Sequence, residues 1–134
     1  MKANQHGFNL MELLTTFAIV SIVSALTIPL YTQYFVKTRR MEAASTLSRL
    51  ALAMEQYHAE HQSYEGATLT ALHFAEYTAK NSYRLAIQKA DSNDYTLAAE
   101  PMGSQAEKDR CQLLSLNAAG EKRVSGQVPL EECW

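Results

Sequence analysis

The sequence predicts an α+β protein in which a long N-terminal helix packs on a small antiparallel sheet of about four strands. Two observations carry this prediction. An apolar run near the amino terminus continues into a segment whose apolar residues recur at helical spacing. The remainder alternates apolar and polar residues in short stretches separated by turn signals. With 134 residues, the chain accommodates one small domain in addition to the helix.

The first half of the predicted helix is long enough to span a membrane. No charged side chain occurs among the 24 residues from Leu13 to Val36. As a helix, this run covers roughly 36 Å, against a hydrocarbon core of about 30 Å. A secretory signal peptide would be shorter and would end in a small-x-small cleavage site, which the residues after Pro29 do not provide. Pro29 lacks an amide hydrogen and should bend or locally open the helix.

The second half of the helix is predicted to be amphipathic and to end near Gln62. Its polar face carries Glu42, Ser45, Arg49, Gln56 and Glu60. The apolar residues that form one stripe on the opposite face are Met41, Ala44, Leu47, Leu50, Ala51, Met54 and Tyr57. We expect this stripe to pack on the sheet.

The sheet is predicted to follow a connector over residues 63–81, which includes a short helix around Leu69–Tyr77. Turn signals lie at Asp91–Asp94 and Asn117–Gly120. The predicted strands cover residues 83–88, 95–101, 111–116 and 121–124. A helix that is followed in sequence by an antiparallel meander is typical of an α+β domain.

Glu12 is an acid at the edge of the apolar run. A carboxylate is expensive to bury, and acids within membrane segments are usually functional. Glu12 therefore needs a partner, unless it lies only at the membrane interface.

The segment Gly7–Leu14 (GFNLMELL), with Pro29 and Tyr31 further along, resembles the type IV pilin family, which includes the pseudopilins of type II secretion. The resemblance implies that a prepilin peptidase cleaves between Gly7 and Phe8 and methylates the new amine of Phe8. It implies a leader peptide at 1–7, a transmembrane and filament-core helix at 8–36, and a periplasmic globular domain at 37–134. Near the carboxyl terminus, Cys111–Leu116, Gly120–Lys122 and the final Cys133-Trp134 look like a small minor pilin.

Cleavage would give Glu12 a charged partner. An α-amine has a pKa near ~7.7–8.0, so the amine of Phe8 would be largely protonated at neutral pH. In a filament core, Glu12 of one subunit could pair with the amine of a neighbour. Leaving either charge alone in an apolar setting would cost on the order of 3–5 kcal/mol. We expect the pair to set the register of the helices, with Glu12 and Pro29 as assembly residues.

The two cysteines, Cys111 and Cys133, are either free thiols or a disulfide that closes a loop worth about 3 kcal/mol. Their spacing does not fit a zinc site. Pilins often carry a cysteine pair near the carboxyl terminus, so the resemblance implies that these two are bonded in an oxidising compartment.

The resemblance also implies location and partners. The chain would be a single-pass inner-membrane protein with its soluble domain in the periplasm, and part of a surface pilus after assembly. Its partners would be other pilin subunits, the prepilin peptidase, the inner-membrane assembly machinery and the membrane itself. The basic residues Lys37, Arg39 and Arg40 after the apolar run oppose this topology, because the positive-inside tendency alone would put the domain in the cytoplasm.

Several other functions find little support in the sequence. A net charge of −2 gives no electrostatic argument for nucleic acid, and no specific nucleic-acid partner is predicted. No nucleophile signature and no glycine-rich phosphate loop occur, which predicts a protein that is not an enzyme and needs no cofactor. His58 and His61, with Glu55 nearby, are interpreted as a polar helix face rather than metal ligands. Asp91–Asp94 lacks the later acid of a calcium loop.

The predicted function is therefore that of a minor pilin, a structural subunit of a type IV pilus. Such a subunit assembles through its N-terminal helix and supports pilus biogenesis together with adhesion, twitching motility or DNA uptake. Two alternatives remain at this point: a competence-type pilin that binds DNA directly, and a pseudopilin of a type II secretion system.

Overall fold

The computed structural model describes residues 7–134, so residues 1–6 of the predicted leader lie outside the described part of the chain. The predicted α+β fold is confirmed. In chain order, the elements are α1 (Leu10–His61), β1 (Tyr83–Ala90), β2 (Tyr95–Pro101), α2 (Gly103–Lys108), β3 (Leu114–Asn117), β4 (Lys122–Val124) and a 3₁₀ turn (Leu130–Glu132). The chain forms two compact units that meet in sequence between Phe35 and Val36.

The sheet is an antiparallel meander in the order β1-β2-β3-β4. Opposed pairs on its buried face include Leu85 with Ala99 and Leu97 with Leu116. A bulge between Ile87 and Lys89 shifts the register near the end of β1. Because neighbouring strands follow one another in sequence, hairpin turns of the predicted kind connect most of the sheet.

The core of the second unit lies between the sheet and residues 36–61 of α1. The helix contributes Ala43, Leu47, Leu50 and Met54, all of which are fully buried. Met41, predicted to be in this stripe, is instead 60% exposed. At about 100° per residue, Met41 lies about 120° around the helix from Leu47, whereas Ala43 lies only about 40° away. Ala43, rather than Met41 as predicted, is therefore the core residue in this turn of the helix.

The predicted short helix around Leu69–Tyr77 is wrong. The segment forms turns, in which the N–H of Leu72 donates to the carbonyl of Thr68 and that of Phe74 donates to the carbonyl of Leu69. His73 has φ of 57°, in the left-handed region. A helix cannot continue through such a residue, so the hydrogen bonds stop after one turn.

The third strand begins at Leu114 rather than at Cys111 as predicted. Gln112 has φ of 56°, and the N–H of Cys111 donates to the side chain of Asp109 at 3.0 Å. Both features turn the chain before it can enter the sheet. The short helix α2 precedes this turn and was not predicted, since its six residues are too few to show a helical period.

The β1–β2 turn is organised by the carboxylate of Asp91. Its Oδ1 accepts hydrogen bonds from the N–H groups of Asn93 at 3.0 Å and Asp94 at 2.7 Å. Its Oδ2 lies 2.9 Å from the Nζ of Lys89. The Lys89 ammonium, followed by the two N–H groups, lowers the pKa of Asp91 from 3.8 to about 2.

The depressed pKa of Asp91 predicts an acid-sensitive turn. Because the folded pKa lies below the ordinary value of 3.8, the stabilisation is present above that pH and is lost as pH falls toward 2. We expect NMR titration of the Asp91 carboxyl carbon to give a midpoint near pH 2 in the wild type. In Lys89→Met, the midpoint should rise toward 3.8 because the ammonium group that lowers the pKa most is removed. A wild-type midpoint near 3.8 would contradict this description of the turn.

Candidate functional site

The first unit presents an apolar surface that the described residues leave exposed. Every residue from Gly7 to Tyr31 is exposed, including Phe8 at 80% and Leu10 at 70%. Within residues 7–134, α1 is the one helix long and apolar enough to cross a membrane. So much exposed apolar surface requires a membrane or partner helices around it.

Gly7 and Phe8 precede the helix, and Glu12 lies in its first turn. The first backbone bond of α1 joins the N–H of Leu13 to the carbonyl of Asn9 at 3.1 Å. The Glu12 carboxylate therefore sits where the partial positive charge of a helix N-terminus favours an anion. Within the described residues it forms no ion pair or hydrogen bond, so it is available to a group on another molecule.

Hydroxyl side chains along the apolar part of α1 bond to their own helix. Ser21, Ser24 and Thr27 each donate to the carbonyl four residues earlier, at 2.7 Å. These bonds satisfy polar groups that would otherwise be costly in an apolar medium. Pro29 lies inside α1, and the chain is helical both before and after this proline. The predicted bend at Pro29 stays a prediction.

A buried polar network in the second unit centres on Asp109, which is 1% exposed. Its Oδ1 lies 2.6 Å from Nη1 of Arg40, and its Oδ2 accepts hydrogen bonds from the hydroxyl of Tyr83 and from Nε2 of Gln105. Gln105 also donates to the carbonyl of Val36 at 2.9 Å. The network thus ties α1 to β1 and α2.

Electrostatics within this network are strong because its members are shielded from water. Burial, and then the hydrogen bond to Asp109, raise the pKa of Tyr83 far above its ordinary range. The side chain of Arg40 is only 12% exposed, and Nη2 also donates to the carbonyl of Glu132 at 3.2 Å. Arg40, which the sequence analysis counted in a basic cluster after the apolar run, is therefore occupied inside the domain.

Cys111 and Cys133 form a disulfide, which confirms the pairing implied by the resemblance. Their Cα atoms are 5.8 Å apart, and both residues are buried. Gly126 packs beside this region so closely that an added Cβ would lie 1.9 Å from the carbonyl oxygen of Arg110. Only glycine fits at this position, because the close contact is with backbone that cannot move aside.

The family of the chain follows from a comparison of its sequence with known protein families. The family described as "Type IV minor pilin ComP, DNA uptake sequence receptor" matches residues 29–115, which is more than half of the chain. The chain belongs to the type IV minor pilin family. The resemblance to the type IV pilin family is thereby confirmed, and the protein is a structural subunit of a type IV pilus. The matched residues do not include Gly7–Leu14, so the cleavage motif itself stays a prediction.

Two solved structures share the fold of this minor pilin. The non-core minor pilin PilV of Neisseria meningitidis superposes with a TM-score of 0.57 at 22% identity, over 72% of this chain and 92% of that one. A type IV pilin from Shewanella oneidensis superposes with a TM-score of 0.52 at 25% identity, over 74% of this chain and 97% of that chain. Both share the fold. No curated protein sequence matches the chain.

The histidines near the end of α1 in this minor pilin take part in ring contacts. The ring of His58 lies 4.4 Å from that of Tyr64, and His61 stacks on Tyr57 at 4.1 Å. Tyr64 donates its hydroxyl hydrogen to Glu55 at 3.0 Å. Burial, followed by this bond to Glu55, raises the pKa of Tyr64. Within residues 7–134, no group of three potential ligands is placed to hold a metal ion.

The disulfide of the minor pilin fastens its C-terminal segment, residues 127–134. Besides the disulfide, this segment is held by the bond from Arg40 to the carbonyl of Glu132 and by Lys122, whose Nζ lies 5.1 Å from the ring centre of Trp134. Trp134 is the one tryptophan of the chain, so its fluorescence reports on this segment alone.

Reduction of the disulfide is expected to loosen the C-terminal segment. The free energy of unfolding should fall by about 3 kcal/mol, the loop-entropy value for this spacing, and the emission of Trp134 should shift to the red as its ring enters water. Fluorescence and urea unfolding of the full chain in uncharged detergent measure both effects. A Cys111→Ser/Cys133→Ser variant is the control and should show the shifted emission without reductant. Unchanged emission after complete reduction, verified by thiol labelling, would argue against this fastening role.

Proposed function

We propose that this minor pilin is processed at the Gly7–Phe8 bond, anchored through α1 and then assembled into a pilus by that same helix. The observation that carries the proposal is the family match together with the wholly exposed apolar surface of residues 8–31. A surface of this kind suits a bilayer before assembly and a bundle of neighbouring helices afterwards. The protein works by assembly rather than by catalysis.

Pairing of the Phe8 ammonium with the Glu12 carboxylate of a neighbouring subunit would set the register between their helices. Cleavage leaves an ammonium group on Phe8, four residues before the Glu12 carboxylate, which has no partner within the described residues. Pairing with a neighbouring subunit's ammonium neutralises both groups in an apolar core. N-methylation of Phe8 keeps the positive charge and adds a small apolar group.

The disulfide supports a periplasmic position for the globular domain. Disulfides persist in oxidising compartments and are rare in the cytoplasm. Since Arg40 pairs with Asp109 inside the domain, the basic cluster that argues for the opposite topology is reduced to Lys37 and Arg39. The partners in this scheme are the prepilin peptidase, the inner-membrane assembly machinery and the other pilin subunits.

Deleting the gene and imaging surface filaments tests the proposed role directly. We expect filament number or length to fall and to recover on complementation with the wild-type chain. Unchanged filaments, together with absence of the chain from purified pili, would contradict the assignment as a pilus subunit.

Processing is tested by Gly7→Val. A branched side chain crowds the bond that is cleaved, so the leader should stay attached. Intact-mass measurement of membrane-extracted protein should show residues 1–7 retained in the variant and missing in the wild type. Asn9→Ala is the matched control, as it lies on the other side of the bond and should be cleaved. Full processing of Gly7→Val, or retention of the leader in the wild type, would refute the cleavage site.

Direct DNA binding is a second candidate, because the description of the matched family names a DNA uptake sequence receptor. Lys108, Arg110 and Lys122 are exposed and form no ion pair within residues 7–134, so their charges can meet phosphates, although Lys122 also lies over the ring of Trp134. Fluorescence anisotropy with a labelled duplex should show binding that weakens as salt increases. The slope of the logarithm of the binding constant against the logarithm of the salt concentration measures the phosphate contacts. Replacing these three residues by Ala should make this slope shallower by about three. The absence of salt-dependent binding would leave the role of structural subunit alone.

A further inference from the structure

A groove in the second unit is not used by the assembly scheme. It has a volume of about 380 Å³ and lies between α1 and the loop of residues 73–79. Glu42 and Arg49 belong to its helical wall, Phe74 to its loop wall, and Leu85 closes it from the sheet side. This volume is within the range of ligand-binding clefts, about 300–1,000 Å³.

The lining of the groove includes one acidic and one basic side chain, Glu42 and Arg49. Glu42 and Arg49 are seven residues apart, which places them on one helix face about 10 Å apart along the axis. Neither forms an ion pair or side-chain hydrogen bond within the described part of the chain. The Arg49 guanidinium rests over the ring of Phe74, 5.9 Å from its centre, and this contact leaves its N–H groups free.

Phe74 and Leu85 give the groove apolar walls, and two of its hydroxyl groups, those of Thr46 and Thr78, are already bonded locally. Leu85 is 3% exposed at the base. Thr46 donates to the carbonyl of Glu42 at 2.8 Å, and the hydroxyl of Thr78 accepts from the N–H of Tyr83 at 3.2 Å. A complementary ligand therefore has a cation, an anion and an apolar part between them.

We propose that this groove binds an extended peptide segment of a partner protein, in which a basic and an acidic residue are separated by three residues and the middle one is apolar. Alternate side chains of an extended chain point to the same side, so two charged residues four positions apart both face the groove. Their Cα atoms are about 13 Å apart, and the flexible Lys and Glu side chains can lean inward over the remaining ~3 Å to meet Glu42 and Arg49. The N–H groups of Ala75 and Ala79 have no acceptor within residues 7–134 and can bond the peptide backbone. A free amino acid is too short, because one carbon carries both its charges, and Glu42 repels the phosphates of nucleic acid.

The test uses the full minor pilin, labelled with ¹⁵N, in an uncharged maltoside detergent. The probe is the capped peptide acetyl-Gly-Lys-Ala-Val-Ala-Glu-Gly-amide, and the control replaces its Lys and Glu by Ala. We expect saturable chemical-shift changes confined to the amides of residues 73–79 and 42–49 with the probe. Shifts that do not saturate, or equal shifts with the Ala peptide, would overturn the proposal.

Three variants locate the binding. Glu42→Gln and Arg49→Gln should each weaken binding of the probe about fivefold, the factor of one exposed ion pair. Glu60→Gln, an exposed acid on α1 outside the groove, is the control and should bind as the wild type does. Equal affinity in all three, or tighter binding of a diacidic peptide or of a DNA oligonucleotide at this groove, would contradict the assignment. Amide spectra of the free variants verify that each has kept the fold.

Discussion

Glu12→Gln is expected to stay in the inner membrane at wild-type abundance and to be nearly absent from surface filaments. The substitution keeps the shape of the side chain but removes the charge that the neighbouring Phe8 ammonium requires. A lone ammonium in an apolar core costs on the order of 3–5 kcal/mol, which corresponds to at least a hundredfold less incorporation. Anchoring should not suffer, since a less charged helix enters the membrane more readily. The measurement is the ratio of chain in sheared filaments to chain in membranes.

Two further variants separate charge pairing from other roles of Glu12. Glu12→Ala should fail in the same way, while Glu60→Gln, a change to an exposed acid of α1 outside the apolar run, should assemble normally. Normal assembly of both Glu12 variants would show that Glu12 is only an interfacial residue. A drop in membrane abundance alone would assign it to insertion or stability instead.

Asp109→Ala is expected to have the largest effect on the stability of the globular unit. The carboxylate accepts hydrogen bonds from Arg40, Tyr83, Gln105 and the N–H of Cys111. Removing it leaves a largely buried guanidinium and several buried donors without an acceptor, which should lower the free energy of unfolding by about 3–5 kcal/mol. Urea unfolding of the full chain in uncharged detergent, followed by the fluorescence of Trp134, measures the loss.

A surface ion pair supplies the control for Asp109. Glu100 pairs with Arg84 at 3.1 Å, but both side chains are about half exposed. Glu100→Ala should therefore cost about 0–1 kcal/mol. If Asp109→Ala cost no more than Glu100→Ala, the network would not hold α1 to the sheet as described. Asp109→Asn should be intermediate, since the amide keeps one acceptor oxygen.

Features set by near neighbours in the sequence could be predicted. The helical period of Leu47, Leu50 and Met54 placed the second half of α1 on the sheet. Alternation in β1 and β2, with the turn at Asp91–Asp94, gave the first hairpin. Each of these signals depends on residues within two or three turns of helix or along one strand, so no tertiary information was needed.

Features set by tertiary contacts could not be predicted. Asp109 and Arg40 are 69 residues apart, and nothing in the local sequence marks either as a member of a buried pair. Alternation suggested that Cys111 starts a strand, but the bond to Asp109 and the left-handed Gln112 override it. The groove between Glu42 and Arg49 likewise depends on the turns of residues 73–79, which resembled a helix in the sequence.

The mass of the chain in purified surface filaments tests the central proposal most directly. Filaments sheared from cells that express the wild-type chain would be analysed by intact-mass and N-terminal peptide mass spectrometry, beside the membrane fraction. We expect a filament subunit that begins at N-methylated Phe8 and retains the Cys111–Cys133 disulfide. A chain found only in the membrane with residues 1–7 attached, in cells whose other pilins are processed and assembled, would contradict it.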